Sequence, residues 1–160
     1  MSTSISPMAA VTPPSTLVEE LFTDIWNGDR FAADHVDTLR YVADKEVWRV
    51  FDGQRWGRDK TGEVMRRAKM TALGISLEAE RETDRSRSSQ LRDWGKQSQS
   101  TPLLKRMIHS AESVESMVII SDKFDVDTML LNVRNGTIDL RTGQLKPHRA
   151  DDYLNKTRSS

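Results

Sequence analysis

The sequence predicts an α+β domain in which four or five helices pack with two small antiparallel β-ribbons, a hairpin near 47–58 and a meander near 130–148. Three observations carry this prediction. Apolar residues recur at helical spacing through much of residues 15–111, whereas 39–51 and 130–148 hold short runs rich in Leu, Val, Ile and Thr. Turn signals at Asp52-Gly53, Asn135-Gly136 and Thr142-Gly143 divide the second group, because glycine reaches the positive φ that tight hairpin turns require. A length of 160 residues suits one domain with a real core.

Taken in order, residues 1–15 read as a disordered tail, rich in small residues and proline. They lack the basic start and apolar run of a secretory signal. Ser15 or Thr16 caps a helix through Leu17, Val18, Leu21, Phe22, Ile25 and Trp26, expected to stop at Asn27-Gly28 with Gly28 in the left-handed position. A second short helix follows, from Asp29 through Phe31, Ala32, Ala33 and Val36. Strands are expected at Leu39-Arg40-Tyr41-Val42 and Val47-Trp48-Arg49-Val50-Phe51, with Asp52-Gly53 as a two-residue turn into Gln54-Arg55-Trp56-Gly57-Arg58. On that ribbon Trp48 and Trp56 are about equally distant from the turn and are candidates for a cross-strand aromatic pair.

A helix opens at Thr61 or Gly62 and continues through Val64, Met65, Ala68, Ala72, Leu73, Ile75 and Leu77, weakened at Gly74 by about 1 kcal/mol relative to alanine. Residues 81–100 open as a loop that includes Arg85-Ser86-Arg87-Ser88, after which Leu91 and Trp94 anchor a helical segment. Ser100 or Thr101 caps the next helix, Pro102 fits its first turn, and Leu103, Leu104, Met107, Ile108 and Ala111 form its buried stripe. Met117-Val118-Ile119-Ile120 is a short apolar run. Asp122, Asp125 and Asp127 behind it lack the glycine and distal glutamate of a calcium loop and read as caps and turns.

Composition narrows the function. With 24 basic and 24 acidic residues the formal charge is zero, which excludes a whole-molecule grip on nucleic acid and leaves a local patch. The basic cluster of the chain is Arg55, Arg58, Lys60, Arg66, Arg67 and Lys69, set against Asp59 and Glu63. Such a cluster is either a solvated helix face or a phosphate-contacting surface. Trp48 and Trp56 either plug the hairpin onto the helices or, if exposed, present faces for single-stranded bases. Residues 19–37 carry six acidic groups against Arg30 alone, a face that repels phosphate.

The absent motifs are as informative. No G-x-x-x-x-G-K-[ST] loop occurs, so these residues offer no cradle for nucleotide phosphates and no catalytic residue or cofactor is expected. His35, His109 and His148 are too scattered for a local metal or acid-base motif and read as surface or structural groups. Without cysteine there is neither a disulfide framework nor a thiolate metal site. No run approaches the roughly 20 apolar residues of a membrane span, and a cytoplasmic location with no membrane partner is expected.

Three stretches also carry a resemblance: Asn27-Gly28-Asp29-Arg30-Phe31, the Trp48…Asp52-Gly53…Trp56 hairpin, and Leu131-Asn132-Val133-Arg134-Asn135-Gly136-Thr137-Ile138-Asp139-Leu140 followed by Thr142-Gly143 and Pro147-His148. Together they resemble the accessory domain that precedes the superfamily 3 helicase motor of phage and plasmid primase-helicases, the D5-type N-terminal domain. The resemblance spans residues 17–157, with 60–100 matching in helical character alone. It implies an accessory domain at 16–157 and a truncated end at 158–160. It implies a role in positioning DNA or in coupling primase to helicase, with single-stranded DNA and a helicase motor or primase domain as partners. Any oligomer is then expected to form through the helicase. The nucleic-acid candidates are Arg55, Arg58, Arg66, Arg67, Lys69, Trp48 and Trp56. The competing expectation is a protein-interaction module, or an inactive prophage remnant, that binds no nucleic acid.

Overall fold

The computed structural model describes residues 22–158. Among these, the order is α1 (Asp24–His35), β1 (Leu39–Val42), β2 (Val47–Phe51), β3 (Trp56–Arg58), α2 (Glu63–Arg81), α3 (Arg85–Ser98), α4 (Thr101–Ala111), β4 (Val118–Ile119), β5 (Leu130–Val133), β6 (Gly136–Asp139) and β7 (Gln144–Lys146). Two sheets form, one ordered β3-β2-β1-β4 and one β5-β6-β7. The class is α+β, as the sequence predicts. The first ribbon, however, is a mixed sheet rather than an antiparallel hairpin, because β4 runs parallel to β1. The apolar run after α4 supplies that strand: Tyr41 and Ala43 donate their backbone N–H to Met117 and Ile119, at 2.9 and 3.0 Å, and so satisfy the open side of β1.

The expected stop at Asn27-Gly28 does not occur. Thr23 caps α1 by accepting from Trp26 N at 3.2 Å, so α1 takes up only Asp24–Trp26 of the first predicted helix and runs on through both Asn27 and Gly28 into the second. Gly28 serves a contact instead of a turn. A Cβ on it would lie 2.6 Å from Ser110 Oγ and 3.1 Å from Ala111 N, so glycine is what lets α1 seat on α4. Asn27 is fully buried; its Nδ2 donates to Ser98 Oγ at 3.0 Å and its Oδ1 accepts from Trp94 Nε1 at 2.9 Å, tying α1 to α3. His35, at the other end of α1, is buried against Arg67 O and Thr71 Oγ1 of α2, and burial lowers its pKa. The predicted tail and residues 15–21 of the predicted first helix lie outside the described residues.

The polar stretch Arg85-Ser86-Arg87-Ser88 is helix, not loop. Asp84 starts it by accepting from Arg87 N at 2.8 Å, and Ser88 Oγ reaches back to Ala79 O at 2.7 Å. Helix α2 passes Gly74 without a break, and α4 buries Leu104, Met107 and Ala111 as its spacing predicts. The main core gathers Phe31, Leu39, Ala68, Ala72, Leu104, Met107 and Met117 between α1, α2, α4 and one face of the first sheet. No helix among the described residues is long and apolar enough to cross a membrane.

The β2–β3 register differs from the expectation. Phe51 faces Trp56 and Arg49 faces Arg58, which leaves a four-residue loop shaped by Asp52 Oδ1 accepting from Gln54 N and Arg55 N at 2.8 and 2.9 Å. An aspartate that fixes the next two amides favours this longer turn over a two-residue one. Side chains alternate along a strand, so Trp48 and Trp56 point to opposite faces and do not pair. Trp48 meets Phe31 and Tyr41 on the helix side. Trp56 meets Phe124 and Tyr153 on the other side, where the C-terminal segment covers the sheet. That segment then reaches the meander, with Arg158 N donating to Asn132 O at 2.9 Å. The meander forms as predicted, with its first turn at Arg134-Asn135 because Val133 faces Gly136. Asp127 Oδ1 accepts from Met129 N, the turn role read from the sequence, whereas Asp125 Oδ1 accepts from Asn155 N of the C-terminal segment, a long-range tie rather than a turn.

Two glycine substitutions separate contact from propensity. Gly28→Ala is expected to lower the urea midpoint, because overpacking costs about 1–3 kcal/mol while alanine adds only about 1 kcal/mol of helix propensity. Gly74→Ala, whose Cβ meets nothing within 4 Å, is expected to raise it. Equal gains at both positions would contradict the packing described for Gly28.

Candidate nucleic-acid interface

The register that separates the tryptophans also aligns three arginines. Arg40 faces Arg49 across β1–β2, and Arg49 faces Arg58 across β2–β3, so all three start from one face of the sheet. Like charges directly opposite in a sheet repel, and the row persists because each guanidinium has a different environment. Arg40 is satisfied internally: it donates to the carbonyls of Val36 and Leu39 and to the Tyr153 hydroxyl at 3.2 Å, over the rings of Trp56 and Tyr153. Arg49 is half-buried over Phe124, donates from Nη1 to Asn155 Oδ1 at 3.3 Å, and leaves its buried Nε without a partner among the described residues. Burial lowers its pKa, with Arg58 and Arg55 acting in the same direction and Asp125 opposing them. Arg58 and Lys60 are exposed and, among the described residues, form no ion pair. Arg55 donates to Asn155 O at 3.2 Å and also has no carboxylate partner among them.

These groups border a groove of about 580 Å³ between the β3 edge and the start of α2. Its acidic residues are already engaged. Asp59 spends its carboxylate on the helix start: Oδ1 accepts from Thr61, Gly62 and Glu63 N, and Oδ2 from Val64 N at 3.0 Å. Gly62, at φ +83°, makes the bend that brings these amides together. Burial works against this carboxylate, but the four backbone donors outweigh it and hold its pKa below the ordinary aspartate value. Glu63 holds Arg67 and Arg66, each at 2.8 Å, and those hydrogen bonds, Arg67's first, lower its pKa. Asp52 is occupied by its loop amides. The cationic groups at the groove that form no ion pair among the described residues are Arg49, Arg55, Arg58 and Lys60.

The predicted residues therefore divide. Arg55 and Arg58 stand together at the groove. Arg67 lines it but is held by Glu63 and by Thr38 Oγ1. Arg66 is on the same glutamate and on Thr61. Lys69 follows Arg67 by two residues, about 200° around the helix, and lies off the groove. Trp56 is 1% exposed, so the exposure that base stacking requires is not met there. Trp48 is half-buried against Phe31 and Tyr41. Arg49 was not among the sequence candidates. Its signal, arginine at 40, 49 and 58, becomes visible only once the strand register is known.

A mixed sheet with helices on one face, a C-terminal cover on the other and a basic groove at its edge defines a small α+β domain. The family model described as D5 N terminal like matches residues 28–159. The chain belongs to that family, the N-terminal domain of D5-type primase-helicases, and these 160 residues contain no helicase motor. No curated protein matches the chain.

The Asp59 cap gives a pH-dependent prediction. Its folded-state pKa is depressed, so its contribution is present above the unfolded value of about 3.9 and is lost as pH falls through the folded value. Asp59→Asn is expected to cost about 1–2 kcal/mol at neutral pH, with the gap to wild type closing below about pH 4. Urea unfolding at pH 7 and pH 3 measures this; a gap independent of pH would contradict the cap.

Proposed function

We propose that this domain serves a phage or plasmid replicative primase-helicase by holding single-stranded DNA through its phosphates at the β3–α2 groove, and so positions the strand between primase and motor. The observation that carries the reading is the set Arg49, Arg55, Arg58 and Lys60, none of them in an ion pair among the described residues, with two exposed guanidinia beside a half-buried third. Phosphate contacts position a strand without reading its sequence. A buried Trp56 fits this mode, since it offers no face for base stacking. Zero net charge makes the grip local and salt-sensitive. A second reading, a docking module that binds no nucleic acid, is favoured by the engagement of Arg66 and Arg67 with Glu63.

Fluorescence anisotropy with a labelled single-stranded oligonucleotide at two salt concentrations separates the two. Wild type is expected to bind more weakly at higher salt. Arg55→Gln/Arg58→Gln is expected to weaken binding and to reduce the salt slope by about 1.4, since each contact on a single strand contributes about 0.7. Lys69→Gln, off the groove, is expected to leave both unchanged. Absence of wild-type binding at low salt would overturn the reading and favour the docking module.

A further inference from the structure

Helix α2 buries one stripe of Val64, Ala68, Thr71, Ala72, Ile75 and Ala79, and its opposite side is apolar as well. Met70, Leu73 and Leu77, at i, i+3 and i+7, are 58%, 51% and 55% exposed. Residues at this spacing share one helix face. The N-terminal half of α2 helps line the groove, but this outer stripe plays no part in it. Gly74, beside the stripe, has nothing within 4 Å of where a Cβ would stand and so leaves a hollow.

We propose that this face pairs with a second copy of the same chain, α2 against α2, antiparallel about a two-fold axis between residues 73 and 74. In that arrangement Met70 meets the partner's Leu77, and Leu73 lies beside the axis against the partner's Leu73. The charges choose the direction. Lys69 and Glu80 lie on one flank of the stripe, Glu63 and Arg81 on the other, and an antiparallel pair faces each flank with the same flank of its partner. Lys69 then meets the partner's Glu80, and Arg81 comes within a turn of the partner's Glu63. Lys69, Glu80 and Arg81 are exposed and have no ion pair among the described residues, while Arg66 at the end of the stripe stays on its own Glu63. Such an isologous contact is self-complementary, as two-fold pairing demands. Three large apolar side chains per copy fall short of the roughly 800 Å² per partner of a standard stable interface, so the pair is weak and concentration-dependent.

The test uses the full chain without nucleic acid, so its outcome is independent of the groove. Light scattering coupled to size exclusion, over a concentration series, is expected to show a monomer–dimer equilibrium that Leu73→Asp abolishes. Lys69→Glu and Glu80→Lys are each expected to weaken the dimer, and the double swap Lys69→Glu/Glu80→Lys to restore it. The chain has no cysteine, so single cysteines report the register cleanly. A mixture of Met70→Cys and Leu77→Cys proteins is expected to oxidise to the mixed disulfide in preference to either homodimer. A wild type that stays monomeric, a dimer indifferent to Leu73→Asp, or a charge swap without rescue would each overturn the proposal.

Discussion

The buried indole of Trp56 is the contact on which the arrangement of the two sheets depends. Its ring stacks on Tyr153 with 17° between planes, its Nε1 donates to Ala150 O at 2.8 Å, and its backbone N donates to Leu154 O at 2.8 Å. Both hydrogen bonds end on the C-terminal segment, which is thereby fixed over the sheet face opposite the helices. The same segment carries Asn155 to Arg49 and Arg55, and Arg158 to the meander. A tryptophan needs a partner for its N–H when buried, and here that requirement joins residues almost a hundred positions apart.

Asn132 makes the complementary connection from the meander side. It is 3% exposed, and its Nδ2 donates to Gln54 O at 2.9 Å in the β2–β3 loop while its backbone carbonyl accepts from Arg158 N. The meander buries few apolar side chains of its own; Asn132 and Thr137, which face each other across β5–β6, are its buried polar pair. Its position is therefore set by hydrogen bonds to the hairpin loop and the C-terminal segment. The groove inherits that order, because the loop held by Asn132 also carries Arg55.

Local signals made much of the fold legible in the sequence. Apolar periodicity located α2 and α4, turn residues located the meander, and Leu39-Arg40-Tyr41-Val42 is a strand as read. What failed was decided by distant contacts. Asn27-Gly28 has the letters of a helix end, but Ser110 demands a glycine and Ser98 and Trp94 hold the asparagine, so α1 continues. Asp52-Gly53 has the letters of a two-residue turn, but the aspartate carboxylate organises four residues and moves the register. That shift set Arg40, Arg49 and Arg58 in one row, while Trp48 plugs the sheet onto the helices and Trp56 is buried on the opposite face, so the expected cross-strand pair does not form. Of the site, Arg55 and Arg58 were legible from charge alone. The engagement of Arg66 and Arg67 by Glu63, and the departure of Lys69 from the groove, follow from helix geometry once α2 is placed.

The central claim is that a strand of nucleic acid lies along the groove between β3 and α2. Hydrogen–deuterium exchange read by mass spectrometry, with and without a single-stranded oligonucleotide at low salt, tests it directly. The account predicts slowed exchange in residues 52–61, where the loop and the Asp59 cap carry Arg55, Arg58 and Lys60, with α1 and the C-terminal half of α2 unchanged. Slowing centred on residues 69–81, or on the acidic α1, would contradict it.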